Sequence, residues 1–284
     1  HDVVLAGGAE KMTDVSGLKT KYWLGVSGDT EYERLAGTTF SGLYALIAQR
    51  HMHEFGTTRE HLSMVAEKNH KNGAQNPKAQ FQRETTLDKA MKAPMVAAPL
   101  NLFDCCSTTD GASAVLVTSA EKAKEFTDLP IYIEGFGTAS DFLAIHDRAV
   151  TTSLEGTRRA AEQAYRRAGV AAKDIQIAEV HDCFTIAELL AYEDLGFCEK
   201  GKAGPYIAEG HTEIAGDKPV NASGGLKAKG HPIGATGTGQ AYEMFHQLRG
   251  SVQKPTRQVK GVERGLLHNV GGSGGAVAVT VLAR

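Results

Sequence analysis

Three stretches of the sequence combine residue types that could carry thiol or acid–base chemistry. The first is the tetrapeptide HDCF at 181–184, the second is the glycine-rich run 221–237, and the third is the glycine-rich run 269–275. Histidine titrates near neutral pH, and a neighbouring imidazolium or a helix N-terminus lowers the pKa of a thiol. A cysteine close to two histidines therefore indicates nucleophilic or acid–base catalysis by a thiol.

His231 lies between Gly230 and Pro232 in the second stretch, shortly before the helix-compatible segment 238–248. The proline favours an extended conformation at the histidine before it, and proline itself suits the first turn of a helix. We therefore expect the imidazole to lie beside helix N-terminal N–H groups that are free to bind an anion or an oxyanion. A glycine loop that only packs against a neighbouring element explains the pattern equally well.

The other candidates also have structural interpretations. Cys183 precedes a predicted helix, whose N-terminal dipole favours a thiolate, yet a free cysteine is more often a small buried apolar residue. His181 on its own is more often a hydrogen-bonded structural histidine. Cys105 and Cys106 fit a tight packing point. The run 271–275 is either a source of oxyanion donors or a plain turn, and the residues do not decide between the two.

Composition limits the class of protein. The chain has 284 residues, of which 42% are hydrophobic and 23% are charged, enough for one large core or two modest ones. A net charge of −2 argues against bulk electrostatic binding to nucleic acid or to an anionic membrane. No apolar run has the 18 residues or so of a membrane span, and the start has neither a signal peptide nor an initiator methionine.

The four cysteines fit neither a disulfide framework nor a C-x-x-C zinc site. We therefore expect free thiols in a reducing, cytoplasmic setting. Metal binding is not predicted, because His51 and His53 would point to different faces of a helix, and His61 and His70 have no partner at ligand spacing. We expect these four histidines to be solvated or to cap helices. The absence of a Walker motif or a dinucleotide fingerprint argues against phosphoryl and hydride transfer.

Strand and helix patterns alternate through most of the chain, which predicts an α/β fold with functional residues at the carboxyl ends of strands. The predicted strands are 3–6, 112–118, 130–136, 174–180, 260–268 and 276–282, and of these we expect 3–6 and 112–118 to be buried. The predicted helices are 40–55, 59–71, 86–91, 120–126, 185–194 and 238–248. A further helix is predicted to begin at a capping box formed by Thr152 and Glu155. Residues 13–98 carry no strand signal, and 13–37 are predicted to be irregular.

Five blocks together resemble the thiolase family. Residues 230–232 (GHP), 181–184 (HDCF) and 268–272 (HNVGG) resemble motifs of its sterol-carrier-protein-type branch and the archaeal and bacterial acetyl-CoA acetyltransferases of that branch. Residues 5–12 (LAGGAEKM) and 104–112 (DCCSTTDGA) agree as well. The blocks occur in the family's order and span the whole chain, so the resemblance is far more specific than any single glycine motif.

The resemblance implies a thiolase fold, with two similar α/β halves in α-β-α-β-α layers and an inserted, mostly helical loop domain. It assigns 1–12 and 99–128 to an incomplete N-terminal half, 13–98 to the loop domain and 129–284 to the C-terminal half. It also implies a homodimer or homotetramer that acts in lipid metabolism. Coenzyme A thioesters are expected as substrates, with no separate cofactor and no membrane or nucleic-acid partner.

The implied activity is that of an acyltransferase, which joins two acetyl-CoA molecules or cleaves a 3-oxoacyl-CoA. In this scheme His231 activates a nucleophilic cysteine and lines an oxyanion hole. Cys183 is the acid and base at the α-carbon, and His181 binds the thioester oxygen of the enolate.

The resemblance also implies roles for four residues around this centre. Asn269 occupies the position where the other thiolase branch carries its acid–base cysteine, which leaves Cys183 for that task. The backbone N–H near Gly271 would stabilise the tetrahedral oxyanion. Cys106 and Ser223 would lie near the pantetheine arm of coenzyme A.

One difference from the family pattern concerns the nucleophile. The family's nucleophilic cysteine lies upstream of the block at 5–12, where this sequence begins, and none of the four cysteines matches its motif. We therefore expect the sequence to be part of a longer product. Two other functions stay open: a thiolase-like aldolase or lyase that works with a zinc-ribbon/OB-fold subunit, and a non-catalytic subunit that binds acyl-CoA.

Overall fold

The computed structural model describes residues 1–284 as ten α-helices and eight β-strands. The strands are β1 (Val3–Glu10), β2 (Met95–Ala97), β3 (Leu100–Asn101), β4 (Gly111–Thr118), β5 (Tyr132–Ser140), β6 (Ile177–Glu179), β7 (Arg264–Gly271) and β8 (Ala276–Ala283). The helices are α1 (Gly17–Gly25), α2 (Phe40–Phe55), α3 (Arg59–Ala74), α4 (Leu87–Met91), α5 (Ala120–Phe126), α6 (Glu155–Ala168), α7 (Thr185–Asp194), α8 (Ala203–Ala208), α9 (Gly225–Ala228) and α10 (Thr236–Arg249). No helix is both long enough and apolar enough to cross a lipid bilayer.

A four-stranded sheet forms the centre of the C-terminal part. Its strand order is β5-β8-β7-β6, with β6 and β7 parallel and the other pairs antiparallel. Helix α6 packs against β5 and β8, while α10 packs against β7. Helix α10 also packs against the two-stranded ribbon of β1 and β4, so it separates the ribbon from the sheet. The α/β class predicted from the sequence is confirmed.

The ribbon is more exposed than the sequence suggested. The apolar runs in β1 and β4 were predicted to be buried strands, yet Leu5 is 72% exposed and Leu116 is 52% exposed. Each of these strands has the other as its only partner, and only α10 and the turn at 233–235 cover the ribbon. The predicted burial is therefore not observed for this ribbon within residues 1–284, because two paired strands covered mainly by one helix leave apolar side chains exposed.

Residues 13–98 contain helices α1 to α4 and differ from the expectation in two places. The segment 13–37, expected to be irregular, contains α1, whose N-cap Ser16 accepts a hydrogen bond from the amide of Lys19. A short hairpin of β2 and β3 lies at the end of a region without strand signals. Helix α3 packs against α7, α8 and α9. The segment 13–98 is therefore held against the C-terminal part of the chain.

Several local predictions differ from the structure, and at α6 and at His51 the reason is a distant side chain. Helix α6 begins at Glu155, but the carboxylate of Asp194 accepts the amide of Leu154 at 2.7 Å, and Thr152 bonds to Glu54 instead of capping. His51, expected to be solvated, is buried between Thr57 and Glu193. The strand predicted over 174–180 is shortened to Ile177–Glu179, and β7 extends to Gly271, so the turn is confined to 272–275.

The contact between β5 and α6 requires a residue without a side chain. A Cβ atom at Gly137 would lie 2.0 Å from the carbonyl oxygen of Ala160. We expect Gly137→Ala to lower the free energy of unfolding by about 1–3 kcal/mol, because the helix must move away from the sheet. Urea unfolding measures this. Gly17→Ala is the matched control, since a Cβ at Gly17 meets nothing within 4 Å; an equal effect of both changes would contradict the explanation.

Candidate active site

Three segments meet at the carboxyl end of β6. Residues 181–184 follow this strand directly and precede α7. Val220 lies beside Ala178 in a parallel bridge, which brings the start of the run 221–237 to the same edge. Strand β7, the parallel neighbour of β6, carries His268 next to this edge. The topology therefore brings together segments that are widely separated in sequence, as expected for the carboxyl ends of parallel strands.

The two histidines proposed from the sequence are neighbours. The rings of His181 and His231 are 5.0 Å apart between centroids and nearly perpendicular, with an interplanar angle of 88°. His181 is 4% exposed, and its Nδ1 is a buried atom without a hydrogen-bond partner. A buried unpaired ring nitrogen is costly unless something binds it. This nitrogen is available to a ligand.

The hydrogen bonds of His231 assign its tautomer. Its backbone amide donates to the hydroxyl of Thr109 at 3.0 Å, and its Nδ1 lies 2.7 Å from the hydroxyl oxygen of Thr236. The Thr236 hydroxyl donates in turn to the carbonyl of Pro232 at 3.0 Å. Nδ1 therefore carries the proton, and Nε2 keeps a free lone pair. This arrangement suits a base that accepts a proton at Nε2.

Burial keeps the histidines neutral. It lowers the pKa of His231 to about 4, with a smaller contribution from Lys229. It lowers the pKa of His181 well below the usual value, helped by His231 and His268. Burial alone lowers the pKa of His268 to about 3. All three rings are therefore neutral at physiological pH, and His231 keeps a free Nε2 that can accept a proton.

Cys183 lies at the edge of the core beside two further thiols. Its side chain is buried, its carbonyl accepts the amide of Cys106 at 2.9 Å, and Cys105 forms a bridge with Phe184. Burial raises the pKa of the Cys183 thiol well above its usual value, and Cys106 adds to the effect. Burial also raises the pKa of Cys106 to about 12 and that of Cys105 to about 11. These thiols are therefore protonated near neutral pH.

Asp182 fixes the loop that leads to His231. Its carboxylate accepts the amides of Leu226 at 2.7 Å and Lys227 at 3.2 Å, at the start of α9, and the side chain of Asn69 at 2.8 Å. Gly225 has a positive φ of 57°, and a Cβ there would lie 2.3 Å from an oxygen of Asp182. The loop thus needs glycine at this position because the carboxylate approaches its backbone.

A second buried carboxylate connects the helical segment to the site. Glu188 on α7 forms an ion pair with Lys68 on α3 at 2.5 Å and accepts the side-chain amide of Asn69 at 2.6 Å. It also accepts Asn221 at 2.8 Å and the hydroxyl of Tyr192. Asn221 starts the glycine-rich run with a φ of 56°, which asparagine tolerates. Asn69, Lys68 and Asn221 thus connect Glu188 with Asp182 and with the start of the glycine-rich run.

The remaining predicted residues occupy different environments. Ser223 is fully buried, and its hydroxyl donates to Glu179 at 2.5 Å, so the predicted contact with pantetheine stays a prediction. Asn269 lies within β7, and its side chain donates to Gln240 at 3.1 Å. Gly271 is the last, exposed residue of that strand. Cys106 lies beside Cys183, so it belongs to the site in space.

Several functional neighbours were not predicted from the sequence. Thr109 and Thr236 hold His231, and Thr236 falls within the run 221–237, so its position was visible but its role was not. The imidazole of His268 bonds to Thr157 at 2.9 Å and contacts the amide of His181. Glu188 is a polar residue inside a predicted helix, and no local pattern shows that it is buried.

A cleft of about 640 Å³ lies behind the loop of His231. It is lined by Thr109, Pro232 and Thr236, together with the cationic side chains of Lys78 and Lys229. Cys183 and His181 are not among its lining residues. The cleft therefore reaches the residues that hold His231 and Asn76, which donates to the carbonyl of Ser223, but it does not reach Cys183 or His181.

The histidine environments predict a specific pH dependence. The folded pKa of His231 is about 4, below the usual 6.5, so between these values the unfolded chain binds more protons than the folded one. The free energy of unfolding should therefore fall as the pH drops from about 6.5 to about 4. Nitrogen NMR should show His231 neutral, with its proton on Nδ1, at pH 5.5.

An exposed histidine provides the internal control. Hydrogen bonding to Asp217 raises the pKa of His211, so its ring should be largely protonated under the same conditions. A charged His231 ring at pH 5.5 would contradict the assignment.

Comparison with known proteins finds a family match for both the N-terminal and the C-terminal part of the chain. Residues 1–121 match the family model described as the thiolase N-terminal domain, and residues 137–284 match that of the thiolase C-terminal domain-like family. An acetyl-CoA acetyltransferase of Methanothermobacter thermautotrophicus is 49% identical over 284 residues, which is 100% of this chain and 73% of that protein. Sterol carrier protein 2 of Gallus gallus is 37% identical over 85% of this chain and 44% of that protein.

A solved structure shows the same architecture. The Ltp2-ChsH2(DUF35) aldolase superposes with a TM-score of 0.86 at 29% sequence identity. The superposition covers 99% of this chain and 72% of that one. The similarity therefore extends through the ribbon, the helical segment and the four-stranded sheet.

Proposed function

The chain belongs to the thiolase superfamily, in its sterol-carrier-protein-type branch, and on this basis we propose that it acts as a thiolase-type acyltransferase on coenzyme A thioesters. Its fold is the α/β thiolase fold. The observation that carries the proposal is the neutral pair His181 and His231, on the segments that carry Cys183 and the glycine-rich run, within a chain 49% identical to an acetyl-CoA acetyltransferase.

In the proposed first step, His231 accepts the proton of a nucleophilic thiol at its free Nε2. By the family resemblance this thiol lies upstream of the block at 5–12. The thiolate attacks the thioester carbonyl, and the coenzyme A thiolate leaves with the proton. The N–H near Gly271, together with the protonated His231, would stabilise the tetrahedral oxyanion.

In the proposed second step, Cys183 moves the proton at the α-carbon of acetyl-CoA, and His181 stabilises the enolate. The unpaired Nδ1 of His181 supports this role if the neutral ring carries its proton there, since it can then donate to the enolate oxygen. Burial keeps the Cys183 thiol protonated, which suits protonation of the enolate in the cleavage direction. The condensation direction needs the thiolate instead.

The finer features of this function are also proposals. Cys106 lies next to Cys183, which supports a contact with the thioester end of pantetheine. For Ser223 to reach pantetheine, its bond to Glu179 must break or the arm must reach its backbone. A cytoplasmic homodimer or homotetramer without a separate cofactor, acting in lipid metabolism, completes the proposal.

A second candidate function is aldol cleavage with a partner subunit. It is favoured by the superposition on the Ltp2-ChsH2(DUF35) aldolase at a TM-score of 0.86. The partner would be the zinc-ribbon/OB-fold subunit expected from the sequence. Aldol cleavage releases an aldehyde or ketone without consuming free coenzyme A, whereas thiolysis consumes one coenzyme A per cleavage, so the two are separable by their products.

Replacing Cys183 tests the division into two steps. In the full-length gene product, Cys183→Ala should leave acylation by acetyl-CoA intact, seen by mass spectrometry as one added acetyl group. Condensation to acetoacetyl-CoA should fall by about 100-fold or more, because the acid–base group is lost. Cys198→Ala is the control, since Cys198 is a half-buried cysteine outside the site.

Three outcomes would redirect the proposal. Loss of acylation in Cys183→Ala would contradict the role given to Cys183. Absence of acylation and thiolysis in the unmodified protein would favour the non-catalytic acyl-CoA-binding subunit. Cleavage that needs an added DUF35-type subunit, proceeds without free coenzyme A and yields a carbonyl product would favour the aldolase.

A further inference from the structure

Tyr44 on α2 places a hydroxyl group in the core next to the site. Its side chain is 0% exposed, and its ring stacks on that of Phe184, with centroids 4.6 Å apart and an interplanar angle of 25°. Phe184 is the residue after Cys183, so the stacking holds the Tyr44 ring against the segment that carries the thiol, and the hydroxyl and the sulfur lie close enough to shift each other's pKa. The Tyr44 hydroxyl oxygen is buried and has no hydrogen-bond partner. A buried hydroxyl without a partner is unusual and requires an explanation.

A buried cation lies on the same side of the site. Arg148 is 7% exposed and forms no ion pair with a carboxylate. Its guanidinium donates to the carbonyl of Phe142 at 3.0 Å and to the hydroxyl of Ser273 at 3.0 Å, which holds the turn after β7. Its Nη1 has no partner. An unpaired buried cation favours negative charge nearby.

We propose that Tyr44 is a positioning residue for Cys183, whose thiolate accepts a hydrogen bond from the Tyr44 hydroxyl, with Arg148 stabilising the negative charge behind it. The proposed contact gives the unpaired hydroxyl an acceptor. It also places a donor at the sulfur at the moment when the sulfur is charged, while Arg148 favours negative charge on that donor. Its importance for catalysis rests on the proposed function of Cys183, whereas the hydrogen bond itself does not.

The proposal supplies what the condensation direction lacks. There the Cys183 thiolate removes a proton from the α-carbon: the C–H bond breaks, an S–H bond forms, and the electron pair moves to the thioester oxygen. The reverse transfer occurs in cleavage. Because burial disfavours the thiolate, a donor that strengthens when the charge appears stabilises the form that condensation needs.

The charged and titratable groups around the sulfur act in opposite directions. Cys106, on the segment that packs against residues 181–184, and Asp182, on the same segment as Cys183, both disfavour the thiolate. Tyr44, from α2, favours it. Arg148 favours negative charge on Tyr44. Tyr44 is therefore the side chain around Cys183 whose removal should make the thiolate harder to form.

The test measures the thiolate of Cys183 without requiring thiolase activity. Cys183 is treated with hydroxyethyl disulfide between pH 7 and 8.5, and its modification is followed by mass spectrometry. Tyr44→Phe keeps the stacking on Phe184 but removes the donor, so the thiolate population should fall by about tenfold. Since thiolates of higher pKa are more nucleophilic, the rate should fall by about threefold, by the same factor at each pH.

Two controls isolate the hydroxyl. Tyr165→Phe removes the hydroxyl of a half-buried tyrosine, which donates to the carbonyl of Leu195 at 2.8 Å, and should leave the Cys183 rate unchanged. Cys198 in the same digest should react equally in every variant. Fluorotyrosine at position 44 makes the donor stronger and should accelerate the reaction, which keeps the test valid if Tyr44→Phe folds poorly.

An unchanged or faster rate in Tyr44→Phe, with normal folding, would overturn the proposal, because removal of the donor would then not have made the thiolate harder to form. If the rate falls as expected but acylation and condensation are absent, the hydrogen bond stands and the thiolase function fails. The two results are therefore distinguishable.

Discussion

The buried ion pair between Lys68 and Glu188 is the interaction on which the site depends. Both side chains are almost fully buried, so neither charge is tolerable without the other. Glu188 also accepts Asn69 and Asn221, and Asn69 reaches Asp182 in turn. The ion pair therefore connects α3 with the segments that carry Asp182 and Asn221. Because His181 and His231 lie on these same two segments, the ion pair also helps to fix their positions.

The same burial that makes this pair necessary sets the protonation of the site. The rings of His181 and His231 stay neutral because the core does not solvate an imidazolium, and the thiol of Cys183 stays protonated for the same reason. Before the reaction the two histidines are therefore unprotonated bases, and Cys183 is a protonated acid. Negative charge then depends on local donors, and for this reason hydroxyl groups such as that of Tyr44 matter beyond their packing.

The contacts that hold the site span the whole chain. Thr109, which precedes β4, accepts the amide of His231, and Asn72 on α3 donates to the carbonyl of Asn221. Glycine at position 225 lets the backbone approach Asp182 closely enough for two amides to bind the carboxylate. The contacts that hold the site thus come from the segment before β4, from helix α3 and from the loop after β6, so a change in any of these can displace the histidines.

The sequence by itself determined the α/β class, the position of most helices and strands and, through ordered motifs, the thiolase family. These features depend on local spacing: hydrophobic periodicity, glycine placement and the blocks around Cys183 and His231. Only the tertiary structure decided which distant groups satisfy each polar atom. Asp194 caps α6 in place of Thr152, His51 is buried by Glu193, and Glu188 meets Lys68. Local patterns cannot encode these pairs, because burial and partner choice arise only when segments 40 to 142 residues apart in sequence pack together.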